Sequence, residues 1–240
     1  MNCVLHIKKS PLELMNRLAK IPVEEWVNAY LSHQEYKTST TLCAIMTSYG
    51  SDKGDKRHNY TTLYAKLFGP WRHNNINLFE LGIGTNYADI PYNMGKEGTP
   101  GASLHGWALF FPQAHIFGAD IDQRILFQTP TIRTYLCDQR QKSSIHNLFS
   151  NEDLHGLQFD IMIEDGLHEF DANLNFLQHS IHKLKEGGIY IIEDLTAHSR
   201  VAFIKLIPYL RKEYQLKYIE VIIIPSKLNH FDNALLVIQK

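Results

Sequence analysis

Cysteine is scarce in this chain: Cys3, Cys43 and Cys137 are the only three among 240 residues. They are odd in number, far apart and without any C-x-x-C spacing, which argues against a disulfide framework and a zinc knuckle. Net charge is nearly absent too. Lys and Arg total 24 against 25 Asp and Glu, a formal charge of −1, so no global field draws the protein to nucleic acid or to an anionic membrane. Long apolar runs are missing. The longest, around Val221–Pro225, is strand-sized and well short of the roughly 20 residues that span a bilayer. The N-terminal stretch MNCVLHIKKSPLELMNRLAK has neither the apolar core nor the cleavage site of a secretory signal, and the cytoplasm is the expected compartment. What remains is an ordinary globular balance, 44% hydrophobic and 20% charged, enough for one large domain with an appendage.

The apolar pattern divides the chain. From Pro11 to about Thr47, Leu12, Met15 and Leu18, then Val23, Val27, Tyr30 and Leu31, recur at three- and four-residue steps. That spacing predicts two helices broken at Pro22, a helical appendage over residues 1–48 ahead of a main domain over 49–240. The polar segment SYGSDKGDKRHNY reads as a loop, followed by a short amphipathic helix in TTLYAKLFGPW. The rhythm then changes to short apolar runs: Asn77–Ile83, His115–Ile121, Thr134–Cys137, Phe159–Ile163, Gly188–Ile192, Tyr218–Ile224 and Ala234–Ile238. Helical stretches between the early ones predict an α/β protein with a doubly wound, seven-stranded, mostly parallel sheet. The last two runs, joined by PSKLNHFDN without a helix, predict a terminal antiparallel hairpin.

In such a sheet ligands bind beyond the carboxyl ends of the strands, so the residues just after each run carry the argument. The first run ends in Glu80-Leu-Gly82-Ile-Gly84-Thr85, where glycines permit a tight turn and close approach to a ligand. The third glycine of a dinucleotide fingerprint is missing, and so is the G-K-[ST] of a phosphate loop. The second run ends in Asp120 and Asp122, placed to accept hydrogen bonds from ribose hydroxyls, with Asp120 the better placed. Asp138 follows the third run and could meet an adenine amino group. The fourth and fifth end in Glu164-Asp165 and Glu193-Asp194. Neighbouring side chains alternate along a strand, but at a curling strand end Asp165, Glu193 and Asp194 can converge. Three carboxylates in a partly buried site repel unless protonated or bound to a cation, and an all-oxygen set favours Mg2+, Mn2+ or Ca2+.

With these residues in view, the stretch from Tyr49 to Thr196 resembles the class I S-adenosylmethionine-dependent methyltransferases. More narrowly it resembles the metal-dependent sugar O-methyltransferases of macrolide biosynthesis. The segments that carry the resemblance are YGSDKG, FELGIG, GASLHGW, FGADID, CDQ, FDIMIEDGLHEF and LKEGGIYIIEDLT. It implies a Rossmann-like methyltransferase fold in which Glu80, Gly82, Gly84 and Ser103 hold the methionine part of S-adenosylmethionine. Asp120, with Asp122 in reserve, would take the ribose and Asp138 the adenine, while Ser51, Asp52 and Lys53 border the cofactor. It further implies that Asp165, Glu193 and Asp194 bind Mg2+ or another divalent cation and that His168 is the general base.

Transfer to a hydroxyl needs these parts, because an alcohol is a poor nucleophile near neutral pH and a cation acidifies it. An imidazole can then take the proton. The expected partner is a small hydroxylated molecule, a sugar or glycosylated natural product, without nucleic acid or membrane, and a homo-oligomer is left open. Alternatives are a phenolic or other non-sugar acceptor, a nicotinamide-dependent oxidoreductase, and a non-catalytic cofactor-binding module. Acceptor choice is expected in the loops Asn86–Pro100 and Ala197–Val201, with His198 and His230 on the same side.

Overall fold

The computed structural model describes residues 22–226, 228–229 and 231–240. The expected first helix, with Pro11, Leu12, Met15 and Leu18, lies outside them, as do Cys3 and His230. Seven strands form one sheet in the order β3-β2-β1-β4-β5-β7-β6: β1 Asn77–Leu81, β2 His115–Asp120, β3 Ile132–Leu136, β4 Phe159–Glu164, β5 Leu184–Ile192, β6 Tyr218–Ile223 and β7 Ala234–Gln239. The first five are mutually parallel. β7 runs antiparallel to both β5 and β6, so the terminal hairpin is present. The sheet is doubly wound, and its strand order reverses between β1 and β4.

Seven α-helices are described: α1 Val23–Ser32, α2 Thr41–Tyr49, α3 Tyr60–Phe68, α4 Ala102–Phe110, α5 Lys142–Ser150, α6 Phe170–Ser180 and α7 Ala197–Glu213. The stretch expected as one helix after Pro22 is two. Gln34 takes a left-handed conformation (φ 54°) that ends the first, and the Thr40 side chain accepts the Cys43 amide to start the second.

Side-chain alternation along the strands builds two cores. Leu78, Ile116, Ile161 and Ile191 face α1 to α4, packing with Val27, Tyr30, Met46, Leu63 and Trp107. Phe79, Phe117, Met162 and Ile192 face α5 to α7, packing with Phe149, Phe176 and Phe203. The helices before Tyr49 therefore share the core of the sheet. Among the described residues no helix is long and apolar enough to cross a membrane.

Candidate active site

The site begins where β1 ends. Gly82 and Gly84 both have positive φ, 80° and 78°, a region costly for residues with a Cβ. A Cβ on Gly82 would fall 1.9 Å from the Asp165 carbonyl oxygen, so the turn and the end of β4 pass too closely for any side chain. The Gly82 amide donates to the Ala119 carbonyl and the Asp165 amide to the Leu81 carbonyl, each at 2.8 Å. The ends of β2, β1 and β4 are thereby fastened together.

Two adjoining cavities of about 100 and 320 Å³ open over this turn and share Gly82, Gly84, Tyr92, Asp165 and Gly166. The smaller is walled by Asp120, Asp138, Gln139 and Leu167. The larger is walled by Lys53, His58, Ser103, His168, Asp194 and Asp232, among others. The loop expected at Asn86–Pro100 contributes Tyr92, Asn93, Met94 and Thr99 to the larger wall.

The expected residues separate into three groups. Gly82, Gly84, Ser103, Asp120, Asp138, Asp165, His168 and Asp194 line the cavities. Asp120 also holds the turn, accepting the Ile83 amide on Oδ2 and the Asp122 amide on Oδ1, both at 2.9 Å. Burial raises its pKa despite these bonds.

A second group lies one layer behind the wall, contrary to expectation. Glu80 shares a sheet face with Leu78, is fully buried, and accepts from Ser103 Oγ at 2.6 Å and Trp107 Nε1 at 2.5 Å. It positions Ser103 instead of presenting itself to the cavity. Asp122 is taken by Arg124, whose Nε donates to it at 2.7 Å, and by Thr85 Oγ1 at 2.6 Å. The Arg124 hydrogen bond holds Asp122 down to about 2.

Glu193 belongs to this second group. Asp194 has a left-handed backbone (φ 54°), so the two neighbouring carboxylates part. Glu193, 1% exposed, accepts from Lys53 Nζ and Tyr64 Oη, both at 2.7 Å. Asp194 accepts from Tyr60 Oη at 2.6 Å and faces the cavity. Tyr60 and Tyr64, four apart on α3, present their hydroxyls from one helix face.

The third group lies away from both cavities or outside the described residues. His198 stands exposed in the first turn of α7, and neither it nor the rest of Ala197–Val201 lines either of these two cavities. The wall they were expected to form comes from Asn229 and Asp232 of the β6–β7 hairpin.

Lys53 is the centre that sequence reasoning underrated. It is 2% exposed, donates to Asp165 and Glu193, and lies 3.6 Å from Glu80. Burial would lower its pKa, but Asp165, Glu193 and Glu80 outweigh burial and hold it well above the usual lysine value. One ammonium cannot balance three carboxylates. Asp165, beside Lys53 and His168, stays ionised against burial with its pKa lowered to about 2. Burial drives Glu193 well above the carboxylate range and Asp194 up to about 6.

His168 Nε2 lies 3.5 Å from both Asp165 Oδ1 and Asp194 Oδ2. Burial opposes its charge, but the Asp165 hydrogen bond and the Asp194 charge overcome burial and push it up to about 10. Behind it, Glu164 is fully buried and pushed up by burial to about 7. It accepts from Gln139 Nε2 at 2.9 Å and the Gly166 amide at 3.1 Å. Gln139, also unforeseen, accepts the Leu167 amide at 2.7 Å and so shapes the loop that carries His168.

No family model matches the chain. Among curated proteins it is 29% identical over 182 residues to the 8-demethyl-8-alpha-L-rhamnosyl tetracenomycin-C 2'-O-methyltransferase of Streptomyces olivaceus, covering 76% of this chain and 45% of that protein. It is 33% identical over 154 residues to the 8-demethyl-8-(2-methoxy-alpha-L-rhamnosyl)-tetracenomycin-C 3'-O-methyltransferase of the same organism, covering 64% and 36%. With the mycinamicin VI 2''-O-methyltransferase of Micromonospora griseorubida it shares 29% over 155 residues, again 64% and 36%. The chain thus spans less than half the length of these curated relatives. Among solved structures it is similar to the MycE methyltransferase of the mycinamycin biosynthetic pathway in complex with Mg and SAH. That match has a TM-score of 0.64 and 20% identity over 84% of this chain and 55% of that one. A form that also holds mycinamycin VI covers 98% of this chain and 64% of its own, with 18% identity and a TM-score of 0.63. The fold is therefore the Rossmann-like methyltransferase fold, and the sequence is similar to that of sugar O-methyltransferases.

Proposed function

We propose that this chain is an S-adenosylmethionine-dependent O-methyltransferase acting on a hydroxyl of a small molecule, a sugar or glycosylated natural product. One observation carries the reading: two cavities meet over the Gly82–Gly84 turn, one lined by Asp120, Asp138 and Gln139 and the other holding a carboxylate–imidazole cluster. In this reading Asp120 takes the ribose and Asp138, whose carboxylate also accepts from Arg140 and Gln141, borders the adenine. Ser103 and Gly84 lie on the side where the methionine part and its methyl group would reach the larger cavity. The curated relatives named above and the Mg and SAH of the MycE complex support the same reading.

The residues present fit a divalent cation. Carboxylate oxygens of Asp165 and Asp194, hard donors suited to Mg2+, lie within 4.8 Å of each other and of a His168 ring nitrogen, which in this reading stands beside the ion without ligating it. When bound, the ion would supply a Lewis acid that acidifies and orients an acceptor hydroxyl. The chain's own groups do the rest. Lys53 fixes Asp165, Tyr60 fixes Asp194, and the turn at Gly82 holds Asp165 against the donor site.

His168 Nε2 is the proton acceptor in this reading. Its raised pKa means that the imidazole is protonated at neutral pH while Asp165 and Asp194 face it uncompensated. It becomes a base only once positive charge offsets them, which ties deprotonation of the acceptor to a loaded site. The reading is tested with labelled methyl donor and acceptors bearing a rhamnosyl unit. Transfer should be lost in chelator and in Asp165→Ala while donor binding survives. Full activity in chelator would remove the metal from the account.

A further inference from the structure

Asp194 has a second side. His58, from the loop between α2 and α3, places Nδ1 3.2 Å from Asp194 Oδ1, opposite the oxygen that faces His168. Asp232, from the β6–β7 hairpin, completes a group whose ligand atoms also lie within 4.8 Å of one another. Three separate segments thus bring one imidazole and two carboxylates to a point on the wall of the larger cavity. This mirrors Asp165 and His168 across the shared Asp194.

We infer that His58, Asp194 and Asp232 hold a second divalent cation, with the Asp194 carboxylate bridging it to the one beside Asp165. The two groups approach Asp194 from different segments, one through His58 and Asp232 and the other through Asp165 and His168. Lys53 is the only lysine or arginine among the described lining residues of the larger cavity, whose wall carries the carboxylates of Asp52, Asp165, Asp194 and Asp232. Among the described residues only Asn229 donates to the Asp232 carboxylate, and to one oxygen, Oδ1, at 2.7 Å. The other oxygen is left for an ion. An imidazole beside carboxylates suits Mn2+, Co2+ or Zn2+ better than an all-oxygen cage does, and a carboxylate-bridged pair of ions is a recurring way to clamp two oxygens of one substrate.

The inference rests on the metal reading above for Asp194's other side, and the test separates the two. Mn2+ titrated into the purified chain, followed by calorimetry and by the electron paramagnetic resonance of free Mn2+, should give two ions per chain. Asp232→Asn, which keeps the oxygen that Asn229 contacts, and His58→Gln should each bind one ion, with melting temperatures near the parent's as the check on folding. Asp165→Asn should also bind one. One ion in the parent, removed by Asp165→Asn and untouched by Asp232→Asn, overturns the second site and leaves the proposed function standing. No Mn2+ bound at all overturns both.

Discussion

Replacing Lys53 with methionine keeps most of the apolar stem and removes the charge from a site where three carboxylates depend on it. The ammonium lies 2.7 Å from Glu193 Oε2 and 3.6 Å from Glu80 Oε1, and also contacts Asp165. At an effective dielectric of about 20, those two distances correspond to gross attractions of about 6 and 5 kcal/mol when the carboxylates are ionised, most of it offset by the desolvation of burying the charges. The net cost of removing one partner from a buried charge network is about 3–5 kcal/mol. For a chain of this size that lowers the melting temperature by roughly 10 °C. The cost should also depend on pH. Without the ammonium, Glu80 and Glu193 are pushed further above the carboxylate range than burial already pushes them. The folded variant then keeps protons that the folded parent releases, so its deficit grows with pH across the window between the two sets of carboxyl pKa values. Urea unfolding of parent and variant at pH 5 and pH 7.5 reads this directly. A deficit of at least 3 kcal/mol at pH 7.5 that shrinks at pH 5 is expected. A deficit below 1 kcal/mol at both would refute the assignment of Lys53 as the charge that holds the site together.

Three further outcomes follow from the geometry. Gly82→Ala should lose about 3 kcal/mol in urea unfolding, because its Cβ meets the Asp165 carbonyl at 1.9 Å. Gly84→Ala, where the nearest atom is the flexible Met94 sulfur, should lose only about 1 kcal/mol, and equal losses would contradict the close passage of β1 past β4. Glu164, pushed from 4.5 up to about 7 by burial, binds a proton in the folded state that the unfolded chain has released. Parent stability should therefore fall by about 3 kcal/mol relative to Glu164→Gln between pH 4.5 and 7, whereas parallel profiles would place the carboxyl in a polar surrounding. In metal-free protein, nuclear magnetic resonance should find His168 protonated at pH 8 because Asp165 and Asp194 hold it up to about 10. Added Mg2+ should bring its titration down toward 6.5, and an unchanged titration would separate His168 from the cation site.

The sheet was legible because its signals are local. Seven apolar runs, all found as strands, stand out from the helical stretches between them, and the strand-end rule directs attention to the acids that follow. Glu80 shows where that rule overreaches. It lies within β1 on the face of Leu78, so period-two alternation turns it toward α4 and Trp107 and away from the ligand side. The parting of Glu193 and Asp194 could not be read, since it depends on a left-handed backbone at a residue that is not glycine. Asp122 was lost to an arginine two residues on, a pairing that an exposed loop would not have required. Lys53 looks solvated in the polar run GSDKGDK. Only the tertiary approach of β1, β4 and β5 buries it. The hairpin residues Asn229 and Asp232 reach the cavity through the antiparallel return of β7, a long-range pairing with no local mark.

Calorimetry of the purified chain with S-adenosylmethionine tests the central claim most directly. The account predicts binding with a Kd on the order of micromolar, weakened by Asp120→Ala at the ribose position, and no heat with NAD. Absence of heat with S-adenosylmethionine, or binding of NAD in its place, would contradict it.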